Sequence, residues 1–136
     1  MEVYDFDGFR PFLKQHDDTL YIINFWATWC KPCIVELPYF EEVNRVYADQ
    51  PVKVILVSLD FKSQIKKRLI PYVINNDIGS KVIVLHEPDA NAWIDKVDPE
   101  WDGAIPATVI YRNDDWWFYQ KEFKENELKE IVESII

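Results

Sequence analysis

Three apolar runs separated by segments with helical periodicity recur along this sequence of 136 residues. The runs are LYIINFW at Leu20–Trp26, VKVILVSL at Val52–Leu59 and KVIVL at Lys81–Leu85. Nearly continuous apolar runs are typical of strands that are covered on both faces, as in parallel sheets. The intervening segments, from near Cys30 to about Tyr47 and from Phe61 to Asn75, predict helices. The alternation therefore predicts an α/β fold with a mixed central sheet and helices on both faces.

The remaining segments extend this order of elements. The first long helix carries apolar residues at Val35, Phe40, Val43 and Val46, with Pro38 as an internal kink. Two short helices are predicted, one capped by Asp7 and running through Gln15 and one at Asp89–Val97. A C-terminal β-hairpin is predicted from the strands Thr108–Tyr111 and Trp116–Phe123, with the turn residues Asn113, Asp114 and Asp115 between them. A terminal helix is predicted from about Glu125 to Ile136. No repeat or linker is visible, so we expect residues 1–136 to form a single domain.

The charge balance restricts the classes of partner. A formal net charge of −9 argues against nucleic acid, because phosphate binding needs clustered Lys and Arg. The basic run Lys62–Arg68 is more simply explained as the solvated face of a helix than as a binding site. No stretch approaches the roughly 20 apolar residues of a membrane span, so no membrane insertion is expected. Met1–Gln15 lacks the pattern of a secretory signal, so either the protein is cytoplasmic or the sequence begins after a removed signal or anchor.

The only two cysteines, Cys30 and Cys33, stand at positions i and i+3 of the predicted helix start. This spacing puts both thiols on one helix face, within the separation that a disulfide tolerates. Closing a loop of about four residues constrains the unfolded chain by only about 2 kcal/mol, against about 4.7 kcal/mol for a 100-residue loop. A bond that forms easily and stabilises little is typical of a redox switch.

The helix start also favours thiolate chemistry. Unpaired backbone N–H groups and the helix dipole stabilise an anion there, and thiols in such CxxC motifs have pKa values from about 3.5 to about 7. Cys30, at the tip, is therefore the predicted nucleophile, and Cys33, one turn further, the resolving thiol. Lys31 adds a positive charge nearby, and Pro32 stiffens the turn.

A zinc site is the main alternative for these cysteines. It needs two further ligands, and the chain offers only His16 and His86. We expect His16 to lie on the surface and His86 to end a strand without binding metal. No metal ligand is therefore predicted.

Two motifs carry a family resemblance. INFWATWCKPCIVELP, at Ile23–Pro38, is similar to the signature of the TlpA/ResA group of thiol-disulfide oxidoreductases in the thioredoxin superfamily. GAIPAT, at Gly103–Thr108, is similar to the loop that carries a cis proline opposite the CxxC pair in that family. The resemblance covers nearly the whole chain and implies a thioredoxin fold. It also implies that Pro106 is cis and that Ile105 offers backbone groups to an extended substrate. The residues alone leave a plain turn proline before a strand as an equal alternative for Pro106.

The resemblance assigns roles to four more residues. Glu36 matches an acidic residue beside the second cysteine and is expected to accept its proton, the alternative being a surface glutamate. Asn24 stands where thioredoxin has a buried aspartate, so a thioredoxin-type proton relay through that position is lost. Trp26 is expected to pack beneath the site, and Trp29 to line the surface where a partner docks.

The implied activity is disulfide exchange with protein substrates, more readily as a reductase, with the Cys30–Cys33 disulfide as the redox group and no other cofactor. An upstream electron donor and a periplasmic or other extracytoplasmic location are implied, with the cytoplasm as the alternative; the oligomeric state is not predicted. Two other functions compete. A thiol peroxidase of the peroxiredoxin type requires a Thr where Ala27 stands, and a metal-binding or docking module could use the thiolates for copper(I) or zinc.

Overall fold

The computed structural model describes residues 1–136, apart from the side chain of Ala90, and contains a six-stranded mixed sheet. The strands are β1 (Val3–Tyr4), β2 (Leu20–Trp26), β3 (Val52–Ser58), β4 (Lys81–Leu85), β5 (Ala107–Arg112) and β6 (Asp115–Tyr119). Their order across the sheet is β1-β4-β3-β2-β5-β6. The neighbouring strands β1, β4, β3 and β2 pair in parallel. Strand β5 pairs antiparallel with β2 on one side and with β6 on the other. The predicted fold class is therefore confirmed.

The helices cover both faces of this sheet. They are α1 (Phe6–Phe9), α2 (Lys31–Val46), α3 (Ile70–Asn75), α4 (Ile94–Val97) and α5 (Glu127–Ile135). Strand β2 is buried along its whole length, and its side chains alternate between two apolar clusters. Ile22 and Trp26 pack with α2 and α5, whereas Ile23 and Phe25 pack with α1 and α4. The central strand thus anchors both halves of the core.

Helix α2 faces the sheet with fewer residues than predicted. Phe40 and Val43 are buried, but Val35 and Val46 are exposed. Val35 lies two residues from Cys33 and from Leu37, which places it about 200° around the helix from both. The buried face of α2 instead includes the glutamate Glu36.

The N-terminal segment differs from the prediction. Asp5, not Asp7, caps α1, and its carboxylate accepts the Gly8 N–H at 2.8 Å. The helix ends at Phe9 and continues as a 3-10 turn over Arg10–Leu13 instead of reaching Gln15. Strand β1 was not predicted, because a strand of two residues shows no periodicity.

We expect Asp5→Ala to lower the free energy of unfolding by about 1 kcal/mol, the usual contribution of an N-cap side chain. Asp7→Ala is the matched control, because Asp7 lies in the first turn and does not cap it. Urea unfolding of both variants measures the difference. Equal losses would contradict the assignment of Asp5 as the cap.

The segment Phe61–Asn75 is helical, as predicted, but its geometry changes along the way. A 3-10 turn at Lys62–Gln64 leads into a π-helical turn at Ile65–Leu69 and then into α3. Pro71 has no N–H to donate to the Lys67 carbonyl, four residues earlier, as an α-helix would require. The Ile70 N–H donates to the carbonyl of Ile65, five residues earlier, which makes the turn wider. The wider turn therefore lets the helix continue past the proline.

The hairpin forms, but its second strand ends early. Strand β6 stops at Tyr119, and Phe123, predicted as its last residue, leaves the sheet. The Phe123 ring packs between Phe40 and Tyr119, with ring centroids 6.0 and 5.4 Å away. Burial of this ring against α2 outweighs continued strand pairing, and α5 follows a few residues later.

Among the helices in the described part of the chain, none combines the length and the apolar character needed to cross a membrane.

Candidate active site

The two cysteines lie where β2 ends and α2 begins. The Cys30 N–H donates to the carbonyl of Ala27 at 3.1 Å, which closes a turn directly after the strand. Cys30 is the N-cap residue of α2, and its Sγ accepts the N–H of Cys33 at 3.4 Å. A sulfur at this position takes the place of the side-chain oxygen that normally caps a helix. The sequence-based placement of Cys30 at the helix tip is thus what the structure shows.

Cys30 and Cys33 form a disulfide, with their Cα atoms 5.3 Å apart. Cys30 retains 6% of its surface, whereas Cys33 is fully buried. An external thiol or disulfide can therefore reach only Cys30 without rearrangement. This asymmetry agrees with the expected roles of an attacking and a resolving sulfur.

The loop before β5 meets Cys30 from the other side. The Ile105–Pro106 peptide bond is cis, and the carbonyl oxygen of Ile105 lies 3.8 Å from the Sγ of Cys30. The register places Ala107 opposite Phe25, so the antiparallel pairing of β5 with β2 brings the loop to the cysteines. Pro106 is buried, and Ile105 is partly exposed. Residues 75 positions apart thus form one surface.

Glu36 is completely buried and belongs to a polar network behind the cysteines. Its Oε2 accepts from the Asn24 amide at 2.9 Å, and its Oε1 accepts from the Phe123 N–H at 2.9 Å. The same Asn24 nitrogen donates to the Thr108 hydroxyl oxygen at 3.1 Å. Glu36 is therefore not a surface glutamate, and Asn24 connects it to β5.

Burial changes the acidity of Glu36. Desolvation raises the pKa of this carboxyl from 4.5 to about 7, although the hydrogen bonds from Phe123 and Asn24 oppose the shift. The negative charges of Glu122 and Glu127 raise it further. A carboxyl with this pKa exchanges protons near neutral pH.

The two tryptophans near the cysteines differ in exposure. Trp26 is fully buried in the cluster that holds Cys30 and Cys33, and its ring lies 5.8 Å from Tyr72. Trp29, inside the turn, is 52% exposed. Lys31 and Pro32, between the cysteines, are exposed as well. The surface around Cys30 therefore combines an aromatic ring with one cation.

Three residues that the sequence analysis missed hold the turn in place: Thr28, Ser58 and Asp60. The Thr28 N–H and hydroxyl donate to the Asp60 carboxylate, and so does the Ser58 hydroxyl. One sequence signal was present, because Ser58 and Asp60 stand at the end of an apolar strand, at the sheet edge where the cysteines lie.

Neither histidine approaches the cysteines in a metal-binding cluster. His16 lies 3.7 Å from the exposed Asp114, and His86 is exposed after β4. Within the part of the chain that the structure describes, no group of three or more His, Cys, Asp or Glu side chains is arranged to hold a metal.

Comparison with known proteins places this geometry in a family. The AhpC/TSA family matches residues 5–114. The thiol-disulfide oxidoreductase ResA of Bacillus thuringiensis subsp. konkukian (strain 97-27) is 31% identical over 139 residues, which cover 98% of this chain and 71% of that protein. The ResA of a Bacillus cereus strain is 33% identical over 86 residues, covering 60% of this chain and only 50% of that relative.

The fold has close counterparts among solved structures. A thiol:disulfide interchange protein of the thioredoxin family from Chlorobium tepidum TLS superposes with a TM-score of 0.71. The match covers 90% of this chain and 81% of that protein at 21% identity, which shows the thioredoxin fold. Together with the sequence relatives, these matches establish that the chain belongs to the AhpC/TSA family and, within it, to the ResA-like thiol-disulfide oxidoreductases.

Proposed function

We propose that the protein reduces disulfides of protein substrates, with the Cys30–Cys33 pair as its redox group and no other cofactor. The observation that carries this proposal is the position of the Cys30 sulfur. It caps α2, accepts the Cys33 N–H and lies 3.8 Å from the Ile105 carbonyl oxygen. The helix N-terminus therefore favours ionisation of the Cys30 sulfur, and its position beside the Ile105 loop lets a substrate reach it. The Cys33 sulfur is close enough to attack it.

In the reduced protein, the first step is attack by the Cys30 thiolate on one sulfur of the substrate disulfide. The bond between the two substrate sulfurs breaks, one substrate thiolate leaves, and a mixed disulfide with Cys30 forms. The Cys33 thiolate then attacks Cys30 Sγ and releases the second substrate thiolate. Two electrons pass to the substrate, and the Cys30–Cys33 disulfide seen in the structure remains.

Glu36 is the proposed acceptor of the Cys33 proton. Both side chains are buried one turn apart on α2, so bulk water is a poor proton acceptor for Cys33. The pKa of Glu36, raised to about 7 by burial, suits a base that works near neutral pH. Asn24, on β2, holds the carboxylate in place through its 2.9 Å hydrogen bond.

The loop before β5 and the turn after β2 form the proposed substrate surface. Ile105 offers backbone groups to an extended substrate, and Pro106 lacks an N–H that would otherwise need a partner there. Trp29 supplies an exposed apolar ring beside Cys30. Lys31 places a positive charge near the thiolate, and Pro32 stiffens the helix start.

Reduction is the proposed direction, by resemblance to the TlpA/ResA group. A reductase must be returned to its dithiol form, so the protein requires an upstream electron donor. By the same resemblance, the proposed location is outside the cytoplasm.

The direct test is catalysed reduction of a protein disulfide such as that of insulin, with dithiothreitol as electron donor. We expect wild-type protein to accelerate insulin reduction and Cys30→Ser to give only the background rate. Consumption of hydrogen peroxide without activity toward insulin would instead support a peroxidase. Tight binding of copper(I) or zinc without either activity would support a metal-binding module.

We expect Trp29→Ala to raise the KM for a protein disulfide about tenfold while kcat and stability stay close to wild type. An aromatic anchor contributes about this much to a protein contact, and a half-exposed ring contributes little to the core. Initial rates over a range of insulin concentrations measure both constants. Ile74→Ala, which removes an exposed apolar side chain on α3, is the control and should leave KM unchanged. An unaltered KM in Trp29→Ala would contradict a docking role.

A further inference from the structure

A buried carboxylate lies beneath the turn that presents Cys30. Asp60 is only 2% exposed, and both of its carboxylate oxygens accept the Thr28 N–H at 3.1 Å. The Thr28 hydroxyl donates to Oδ1 and the Ser58 hydroxyl donates to Oδ2, each at 2.6 Å. Ser58 Oγ in turn accepts the Asp60 N–H at 3.0 Å. The carboxylate is therefore held in one orientation by three donors.

These contacts fix the geometry of the Ala27–Cys30 turn. The Leu59 N–H donates to the Trp26 carbonyl at 2.7 Å, which brings the end of β3 beneath the turn. Thr28 is the second residue of the turn, and both of its donors point to Asp60. Trp29 and Cys30 follow directly, so the hydrogen bonds from Thr28 to Asp60 determine where the exposed Trp29 ring and the Cys30 sulfur lie.

The charge of Asp60 has a second effect. Its donors are all neutral, and among the described side chains no Lys, Arg or His nitrogen comes within 4.0 Å of its carboxylate. Two residues of chain and one hydrogen bond separate it from Cys30, a span of roughly 10 Å at most. A buried anion at this range disfavours a thiolate at Cys30, whereas the disulfide form carries no charge to repel.

We propose that Asp60 is a positioning residue for disulfide exchange, whose carboxylate holds the Ala27–Cys30 turn and whose charge makes the reduced cysteine pair a stronger reductant. The inference rests on the proposed function and adds a residue that controls its driving force. It needs no contact between Asp60 and the substrate, because Asp60 acts through the turn and through its field.

The test is the equilibrium of the cysteine pair with glutathione. In this reaction two glutathione molecules reduce the Cys30–Cys33 disulfide to the dithiol, and one oxidised glutathione forms. We expect Asp60→Asn, which keeps the shape and removes the charge, to shift the equilibrium constant about tenfold toward the dithiol, since one charge at roughly 10 Å changes an ionisation equilibrium by about this factor. For two electrons this equals a rise of about 30 mV in the reduction potential.

Glu41→Gln is the matched control for Asp60→Asn. Glu41 is also buried and also accepts from neutral donors, the Gly79 N–H and the Ser80 hydroxyl. It lies on α2 about two turns beyond Cys33, away from the Ala27–Cys30 turn. We expect Glu41→Gln to shift the glutathione equilibrium clearly less than Asp60→Asn, because Glu41 lies roughly 16 Å from Cys30 along the helix. Equal shifts in both variants, or none in Asp60→Asn, would overturn the proposal.

A second pair of variants tests the turn separately from the charge. Thr28→Val removes the hydroxyl donor and keeps the carboxylate, so we expect attack on a small disulfide to slow about tenfold, as for loss of one charge-assisted hydrogen bond. Thr28→Ser keeps both donors and should restore the wild-type rate. This pair decides the matter if Asp60→Asn does not fold, and equal rates in the two Thr28 variants would then overturn the proposal. Failure of the wild-type protein to equilibrate with glutathione would refute the proposed function instead.

Discussion

Cys33→Ser is expected to convert the protein into a trap that forms mixed disulfides and does not release them. Cys30 would still attack a substrate disulfide, because its exposed edge and its place at the tip of α2 do not depend on Cys33 Sγ. Serine cannot displace the substrate sulfur from Cys30, so turnover should fall by at least about 10³-fold, as when a nucleophile is removed. Non-reducing electrophoresis and intact mass of the adduct with insulin measure the trap.

Two controls define this result. Cys30→Ser should form no adduct, since the buried Cys33 is out of reach of a protein substrate. Dithiothreitol should reduce the mixed disulfide and separate the Cys33→Ser adduct into its two proteins, which proves that the link is a disulfide. An adduct formed equally well by both variants would contradict the division of roles between the two sulfurs. Metal binding by the wild-type protein, together with no adduct in Cys33→Ser, would favour the metal-binding module.

Glu36→Gln is expected to slow the resolving step about 10²-fold at neutral pH, the usual contribution of a general base. In the wild-type protein, this step should accelerate as Glu36 ionises with rising pH and level off above about pH 7. In the variant, the rate should continue to rise toward the ordinary thiol pKa near 8.5. Stopped-flow measurement of the second substrate thiol released, as a function of pH, separates the two profiles.

The same variant should change how stability depends on pH. In the oxidised protein, the pKa of Glu36 is about 7, against 4.5 for the ordinary carboxyl, so between these pH values the folded state binds the extra proton. The stabilisation from this proton is complete below about pH 4.5 and is lost as the pH rises through about 7. Between pH 4.5 and pH 8, the free energy of unfolding of the wild-type protein should therefore fall by about 3 kcal/mol more than that of Glu36→Gln. Urea unfolding at pH 4.5 and pH 8 measures it.

Glutamine fits this site, which keeps the variant interpretable. Among the buried side-chain atoms in the described part of the chain, Asn24 Oδ1 is one that lacks a partner. Rotation of the Asn24 amide would present this oxygen to the new amide in Glu36→Gln and to the Thr108 hydroxyl. Glu41→Gln, on the same helix, is the control for the exchange of carboxyl for amide. Wild-type pH profiles in Glu36→Gln would contradict its role as the base.

Local patterns were enough to predict most of the fold. The strand Leu20–Trp26 has the predicted ends, because a fully apolar run is read from the residues themselves. The start of α2 at Lys31 follows from the same kind of information, since Pro32 is typical of the first turn of a helix. Errors occurred where local preferences are weak, as at β1, or where packing overrides them, as at Phe123. That residues 1–136 form a single domain stays a prediction.

The cysteine pair was likewise visible in the sequence, because a separation of three residues fixes the distance between two side chains on a helix. The surroundings of that pair depend on tertiary structure. Phe123 donates to Glu36 from 87 positions away, and Asn24 reaches Thr108 across 84 positions. No spacing rule links residues so distant in the chain; the order of the strands brings them together.

The sequence by itself therefore determined the cysteine pair, the elements that carry it and the family to which the chain belongs. Only the tertiary structure decided which sulfur is accessible, that Glu36 is buried and its pKa thereby raised, and that Asp60 lies beneath the turn of Cys30. The physical reason is that periodicity and helix spacing act over a few residues, whereas burial and charge depend on every element packed around a group.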